Sequence, residues 1–199
     1  MPRSEEENQQ IKIMRRRQLL DAALKVFAGK GLSATKISDI AREAELSHGL
    51  IYHYFSSKED IFTELVKEAL AYSNRAYQQA GKVEGGPLAK LRALMDNFIE
   101  DSYSGKGVYL FLLIIEASTS DNVPEEVKQL MADKESYNKQ FLLPLFRQGQ
   151  EEGQIISKDP AKLAYLFSAI IKGLALVYPE ANKEGAFPDT ELIINAFRA

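Results

Sequence analysis

Apolar side chains recur along this chain at the three- and four-residue spacings of a helix, while the strict alternation of a half-buried strand is almost absent. The pattern therefore predicts an all-α fold. Leu20, Ala23, Leu24 and Phe27 fall at i, i+3, i+4 and i+7 and mark a long first helix from about residue 11. It should stop at Gly29-Lys30-Gly31, where glycine can take positive φ. Thr35 is placed to cap a short second helix reaching Ala44, with Ile37, Ile40 and Ala41 turned inward. After the tight turn Glu45-Leu46-Ser47, Ser47 can cap a third helix over about 48–55. Ser57-Lys58-Glu59-Asp60 then sets a cap and two carboxylates at the positive end of a long fourth helix, striped by Ile61, Leu65, Ala69, Tyr72 and Ala76.

The glycines and proline of 81–87 interrupt the pattern and read as a linker. Beyond it four or five more helices are expected. Leu91, Leu94, Met95 and Phe98 line one, and the nearly all-apolar segment 108–117 must be central. Val127, Leu130, Met131, Phe141 and Leu145 line another, which Pro144 should kink or break because it lacks an N–H. Asp159-Pro160 opens a helix carrying Leu163, Leu166, Phe167, Ile170, Leu174 and Val177, and a short helix near 189–198 closes the chain. The organisation expected is an acidic flexible tail over 1–10, a three-helix domain over 11–56, a connecting helix over 57–80 and a larger helical domain over 81–199.

Composition narrows the function. The chain has 199 residues, 45% of them apolar, enough for a substantial core. It has no cysteine, so disulfides and thiolate metal sites are excluded. The uninterrupted apolar run over 108–115 is far shorter than the ~20 residues that span a bilayer, and the polar N-terminus has no secretory h-region. A cytoplasmic protein without membrane attachment is expected. Charge is sorted by region: residues 11–58 hold nine Lys/Arg against four Asp/Glu, and residues 59–199 hold fifteen against twenty-one. A basic head on an acidic body fits a polyanion partner. His48 and His53, five apart with no third histidine, cannot complete a metal site, and no metal or cofactor is expected. Glu100-Asp101 and Glu151-Glu152 are adjacent pairs facing different ways, and no phosphate loop or nucleophile motif is present, so an enzyme is not expected.

Two short helices joined by Glu45-Leu46-Ser47 form a helix-turn-helix, whose second helix would present its N-terminal residues to a major groove. Ile51 and Phe55 can face the first helices while His48, Gly49, Tyr52 and His53 turn outward. Tyr52 can give its hydroxyl to a phosphate, Lys58 can neutralise another, and Gly49 lets the backbone approach. Tyr54 is suited equally to packing and to contact.

The order Thr35-(x4)-Ile40-Ala41-(x4)-Leu46-Ser47-His48-Gly49-Leu50-Ile51-Tyr52-His53-Tyr54-Phe55-Ser56-Ser57-Lys58-Glu59-Asp60-Ile61 resembles the DNA-binding domain of the tetracycline-repressor (TetR) family over roughly residues 11–70. The resemblance implies a homodimeric transcription regulator, usually a repressor, bound to a near-palindromic double-stranded operator and released by a small molecule held in the C-terminal domain. Carried over by position, DNA contacts fall on Ser38, His48, Gly49, Tyr52, His53, Tyr54 and Lys58, with Thr35 and Ser47 beside them. Leu50 stands where the family often has Thr or Ser and could touch a thymine methyl. Glu45 stands where the family often has Gly, at a cost of roughly 1 kcal/mol if its φ is positive. The cluster Arg15, Arg16 and Arg17 is expected to reach phosphate or a minor groove.

For the body, Phe98, Tyr103, Phe111, Phe141 and Phe167 are the candidate lining of a pocket for an apolar or aromatic effector. Leu163, Phe167, Ile170, Leu174 and Val177 are the candidate dimer interface. The competing reading is a constitutive or architectural DNA-binding protein, which shares the head and lacks only the effector.

Overall fold

A computed structural model describes residues 5–103, 105–184 and 188–199. The described chain folds as α1 (Glu5–Ala34), α2 (Ile37–Glu43), α3 (His48–Tyr54), α4 (Lys58–Gly81), α5 (Gly86–Tyr103), α6 (Lys106–Thr119), α7 (Glu125–Glu151), α8 (Pro160–Glu184) and α9 (Thr190–Asn195). Among the described residues the extended pairing is a single bridge, Ile155 to Arg198. The all-α expectation holds.

Local chemistry explains most boundaries. α1 begins at Glu5, earlier than its apolar periodicity signals, because residues 5–10 are polar and exposed. Glu5, Glu6 and Glu7 sit at the positive end of its macrodipole, so the described part of the expected flexible tail is helical. Residues 1–4 lie outside the described residues. The regular turns of α1 end at Gly31, whose φ of 75° is open to glycine. Lys36, not Thr35, is the N-cap of α2, and its N–H donates to Asp39 Oδ2 at 3.0 Å. Pro144 does not break α7, which runs through it: Leu142, Leu145 and Phe146 around it are buried, and that packing outweighs the ~3 kcal/mol that an interior proline costs.

Two cores run the length of the molecule. The first joins Leu24 and Phe27 of α1, Ile40 of α2, Ile51 of α3 and Phe62 and Leu65 of α4 to Leu110, Leu113 and Ala117 of α6. The second gathers Leu91 and Met95 of α5, Val108 of α6, Phe146 of α7, Phe167 of α8 and Ile194 of α9. α6 belongs to both, as its apolar sequence predicts. The head thus packs directly on the body through α6 as well as continuing into it through α4.

Candidate nucleic-acid interface and body cavity

α3 is held by its inner face. Ile51 and Phe55 are buried in the first core, and Leu46 packs behind them. The preceding turn is closed by Leu46 N–H donating to Ala41 O at 3.0 Å and by Gln18 Nε2 donating to Ala44 O at 2.7 Å. Glu45 takes φ 54° in that turn, the left-handed conformation that its position anticipated. With one face anchored, the opposite face is presented whole. His48, Gly49, Tyr52 and His53 are exposed, Tyr52 by 51%. The rings of His48 and Tyr52 meet edge to face at 5.3 Å, which pre-orders them. Gly49 has nothing within 4 Å of where a Cβ would stand. Leu50 is half-buried beside this face. Ser47 is exposed and makes no capping bond, so its hydroxyl is available to a partner. Tyr54 packs partly against the first core and edge-on to His53.

Ser38 is exposed on α2, and Arg42, four residues on, is exposed on the same face. Lys36 is exposed at the start of that helix. The sequence reading passed over Lys36 and Arg42, although their spacing from Ser38 was the available signal.

Four of the expected contact residues, Thr35, Lys58, Arg16 and Arg17, are engaged within the fold. Thr35 is 1% exposed, and its hydroxyl donates to Gly31 O at 2.6 Å. Lys58 Nζ folds back on the end of α1, donating to Leu32 O at 2.8 Å and Thr35 O at 2.9 Å among the carbonyls that follow the glycine break. Arg16 forms a bidentate pair with Glu64 of α4 and lies 4.9 Å over the Phe55 ring. Arg17 bonds Asp21 and, at 2.5 Å, Glu68. Its hydrogen bond to Asp21 raises the Arg17 pKa and draws the Asp21 carboxyl below its ordinary range. Arg16 and Arg17 therefore tie α1 to α4. Arg15 is exposed and donates to Gln18 Oε1 at 2.8 Å. A run of arginines looks alike in sequence whether carboxylates await it one helix away or not.

The body holds a cavity of about 700 Å³, part of it open to solvent, bounded by α4, α5, α6, α7 and α8. Phe98 and Phe111 line it, with ring centroids 4.8 Å apart. Phe141 instead packs tilted against Tyr77, with ring centroids 5.0 Å apart, outside the lining. Phe167 is 1% exposed and packs with Phe146 and Phe197 in the second core, away from the cavity. The Tyr103 side chain falls outside the described residues. Tyr72, Ser73, Asp101 and Lys134, none of them among the residues expected there, supply polar lining together with Asn97, Ser168 and Lys172. Tyr72 hydrogen-bonds Asp101, and burial first, then that carboxylate, holds its pKa above the ordinary tyrosine value. Burial lowers the Lys134 ammonium to a pKa of about 8, with the charge of Lys172 adding to the effect.

Of the apolar face expected to meet a partner on α8, only Val177 is exposed. Leu163 and Phe167 are buried, and Ile170 and Leu174 pack partly against the second core. Exposed are Tyr165 (78%), Leu166 (46%), Leu176 (58%) and Val177 (51%), with Ala169 and Gly173 between them. Pro160–Val177 is long and apolar enough by length and composition to cross a membrane, but its inner face belongs to the second core.

An anchored helix with an open polar and aromatic outer face, set behind a tight turn, defines a helix-turn-helix DNA-binding protein. Residues 19–65 match the family model for bacterial regulatory proteins of the tetR family. The chain is 40% identical over 80 residues to the transcriptional repressor KstR2 of Mycolicibacterium smegmatis, a stretch that spans 40% of this chain and 39% of that protein. It is 27% identical over 153 residues to KstR2 of Mycobacterium tuberculosis, covering 77% and 75% of the two chains. The crystal structure of the MbdR regulator from Azoarcus sp. CIB shares the fold, with a TM-score of 0.74 at 23% identity over 92% of this chain and 94% of that one. Residues 19–65 are thus similar to the DNA-binding domain of the tetR-family regulators, and the chain as a whole shares its fold with the MbdR regulator.

Proposed function

We propose that the protein is a homodimeric, cytoplasmic repressor that binds a near-palindromic operator through the outer face of α3 and is released by a small molecule in the body cavity. The observation that carries the reading is the division of α3, with Ile51 buried and His48, Gly49, Tyr52 and His53 open on one side. Contacts are assigned to these four residues, with Ser38, Ser47, Leu50, Lys36 and Arg42 around them and Tyr54 at the edge. Dimerisation is assigned to Tyr165, Leu166, Leu176 and Val177, whose apolar exposure on one helix a second copy would cover. Ala169 and Gly173 between them permit close helix approach. The function is regulatory rather than enzymatic.

Induction requires a ligand that binds one arrangement of the heads better than the other. Tyr72, Ser73, Ala76 and Tyr77 line the cavity from α4, which leads from the head into the body, so the cavity and α3 share a lever. A tenfold loss of operator occupancy needs only about 1.4 kcal/mol of differential affinity. The test is selection of bound duplexes from a random pool, followed by a screen for compounds that release the selected duplex. A palindromic consensus and a releasing compound are expected. A palindrome that no cavity ligand releases would instead support constitutive binding.

A further inference from the structure

The cavity is apolar along most of its wall and cationic at one end. Lys134 reaches in from α7, where its Nζ donates to Ser73 Oγ at 2.9 Å and lies 6.0 Å from the Tyr77 ring centroid. Among the side chains the structure describes, no Asp or Glu pairs with it. Lys172 lines the same cavity from α8, exposed at its edge, and adds a like charge. Asp101, the carboxylate in the lining, is engaged by Tyr72. Ser73 is buried and accepts from Lys134, which leaves its hydroxyl proton directed to a further acceptor. An ammonium beside apolar walls is costly until a counter-charge meets it.

We propose that the effector is an amphipathic carboxylate, with its anionic head on Lys134 and the Ser73 hydroxyl and its alkyl or aryl body against Phe98, Phe111, Ile114 and Ile115. The inference rests on the cavity being the effector site. A neutral apolar ligand would leave the ammonium uncompensated, and a cation would add a third like charge beside Lys172. One ammonium and one hydroxyl at the inner end match the two oxygens of a monoanion. The site also explains how binding reaches the head: Ser73 belongs to α4, so an anion that draws Lys134 away from Ser73 Oγ alters the contact between α7 and that lever.

The test uses the full chain and isothermal titration with matched series: straight-chain carboxylates from hexanoate to tetradecanoate, phenylalkanoates, and the primary alcohols and amines of the same bodies. The carboxylate of the best-fitting body should bind at least about tenfold tighter than its alcohol, a difference of about 1.4 kcal/mol, and the amine should bind weakest. Lys134→Met should bring the carboxylate to the alcohol's affinity while leaving the alcohol unchanged, and Lys134→Arg should retain a preference for the anion. An alcohol that binds as tightly as its carboxylate overturns the anionic effector and leaves the cavity as an effector site. A carboxylate preference that survives Lys134→Met in a folded protein overturns the role of Lys134. No binding by any member of any series overturns the proposal together with the reading of the cavity on which it rests.

Discussion

Glu116 Oε1, near the end of α6, accepts a hydrogen bond from the backbone N–H of Leu32 at 2.5 Å and so clasps the body's central helix to the point where α1 breaks. A Cβ at Gly31 would stand 2.6 Å from the same oxygen, so glycine there serves both the positive φ and the close approach. Ile115, the neighbour of Glu116, lines the cavity. A ligand bound in the cavity, as proposed, would therefore meet two routes to the head, one through α4 and one through α6. Glu116→Ala should lower stability to urea by about 1–3 kcal/mol by stranding the Leu32 N–H, whereas Glu116→Gln keeps an acceptor and should lose less. Burial raises the Glu116 pKa. The folded state then holds this proton more tightly than the unfolded state, so the group's contribution declines as pH rises from the ordinary carboxylate value through the folded pKa. The Gln variant should lack that decline. Equal loss in the Ala and Gln variants would show that the hydrogen bond is not what fastens the two parts.

Glu45 carries the one positive φ of a non-glycine residue among the described residues. Glu45→Gly should raise the unfolding free energy by about 1 kcal/mol by removing the clash of Cβ with the backbone, and Glu45→Ala should not. Chemical denaturation of the three proteins decides it. A stabilised Ala variant would point to charge rather than backbone strain.

The depressed Lys134 pKa makes a prediction of opposite sign to that of Glu116. Because the folded state releases this proton at about pH 8 and the unfolded state near 10.5, stability from this group should rise with pH across that interval. Tyr72, whose pKa is raised, titrates above its ordinary value and works in the other direction, so the informative quantity is wild type minus Lys134→Met. That difference should shift in favour of wild type as pH increases through the window, read by thermal melting. A pH-independent difference would place the ammonium in a more polar setting than the cavity provides.

Arg16 and Arg17 are tied to α4 and within α1 by Glu64, Glu68 and Asp21, while Lys36, the N-cap of α2, is exposed and Arg42 on α2 is exposed with only Asp39 of its own helix as partner. Replacing Lys36 and Arg42 by Ala should each lower the salt slope of operator binding by about 1, as loss of a phosphate contact does. The Arg16→Ala, Arg17→Ala pair should leave the slope nearly unchanged. The reverse pattern would return DNA contact to the arginine cluster.

On α8, Leu166→Glu with Leu176→Glu should yield monomers of near wild-type stability, since both side chains face solvent in one subunit. Phe167→Ala should instead cost about 3–5 kcal/mol as a core truncation, with its ring gone from the cluster of Phe146 and Phe197. Sedimentation and denaturation separate the two. A double Glu variant that remains dimeric would move the interface off this face.

Much of this was legible in the sequence. The helical periods of α1 to α4 and the inward Ile51 and Phe55 follow from local spacing, while the left-handed turn at Glu45 was suggested by the resemblance, in which glycine often holds that position. What failed depends on partners distant in sequence. Lys58 reads as a phosphate contact until the carbonyls of Leu32 and Thr35 are brought beneath it, and the Arg16 and Arg17 cluster reads as a basic patch until α4 brings carboxylates across. The faces of α8 were partly exchanged for a related reason. Leu163, Phe167 and Leu166 all lie on an apolar helix, and only the position of α9 and α7 determines which side is inside. Lys134 is a lone lysine in a polar stretch of α7 and gives no local sign of the cavity it enters.

The most direct test of the account is the operator affinity of Tyr52→Ala, measured by fluorescence anisotropy on the selected duplex beside a thermal melt of the same protein. Tyr52 is 51% exposed and anchors nothing in either core, so the variant should melt like wild type. Its affinity should fall about tenfold or more, the effect of losing roughly 1.4 kcal/mol of contact. A Tyr52→Ala protein that is folded and binds the operator as wild type does would contradict the assignment of the outer face of α3 to DNA.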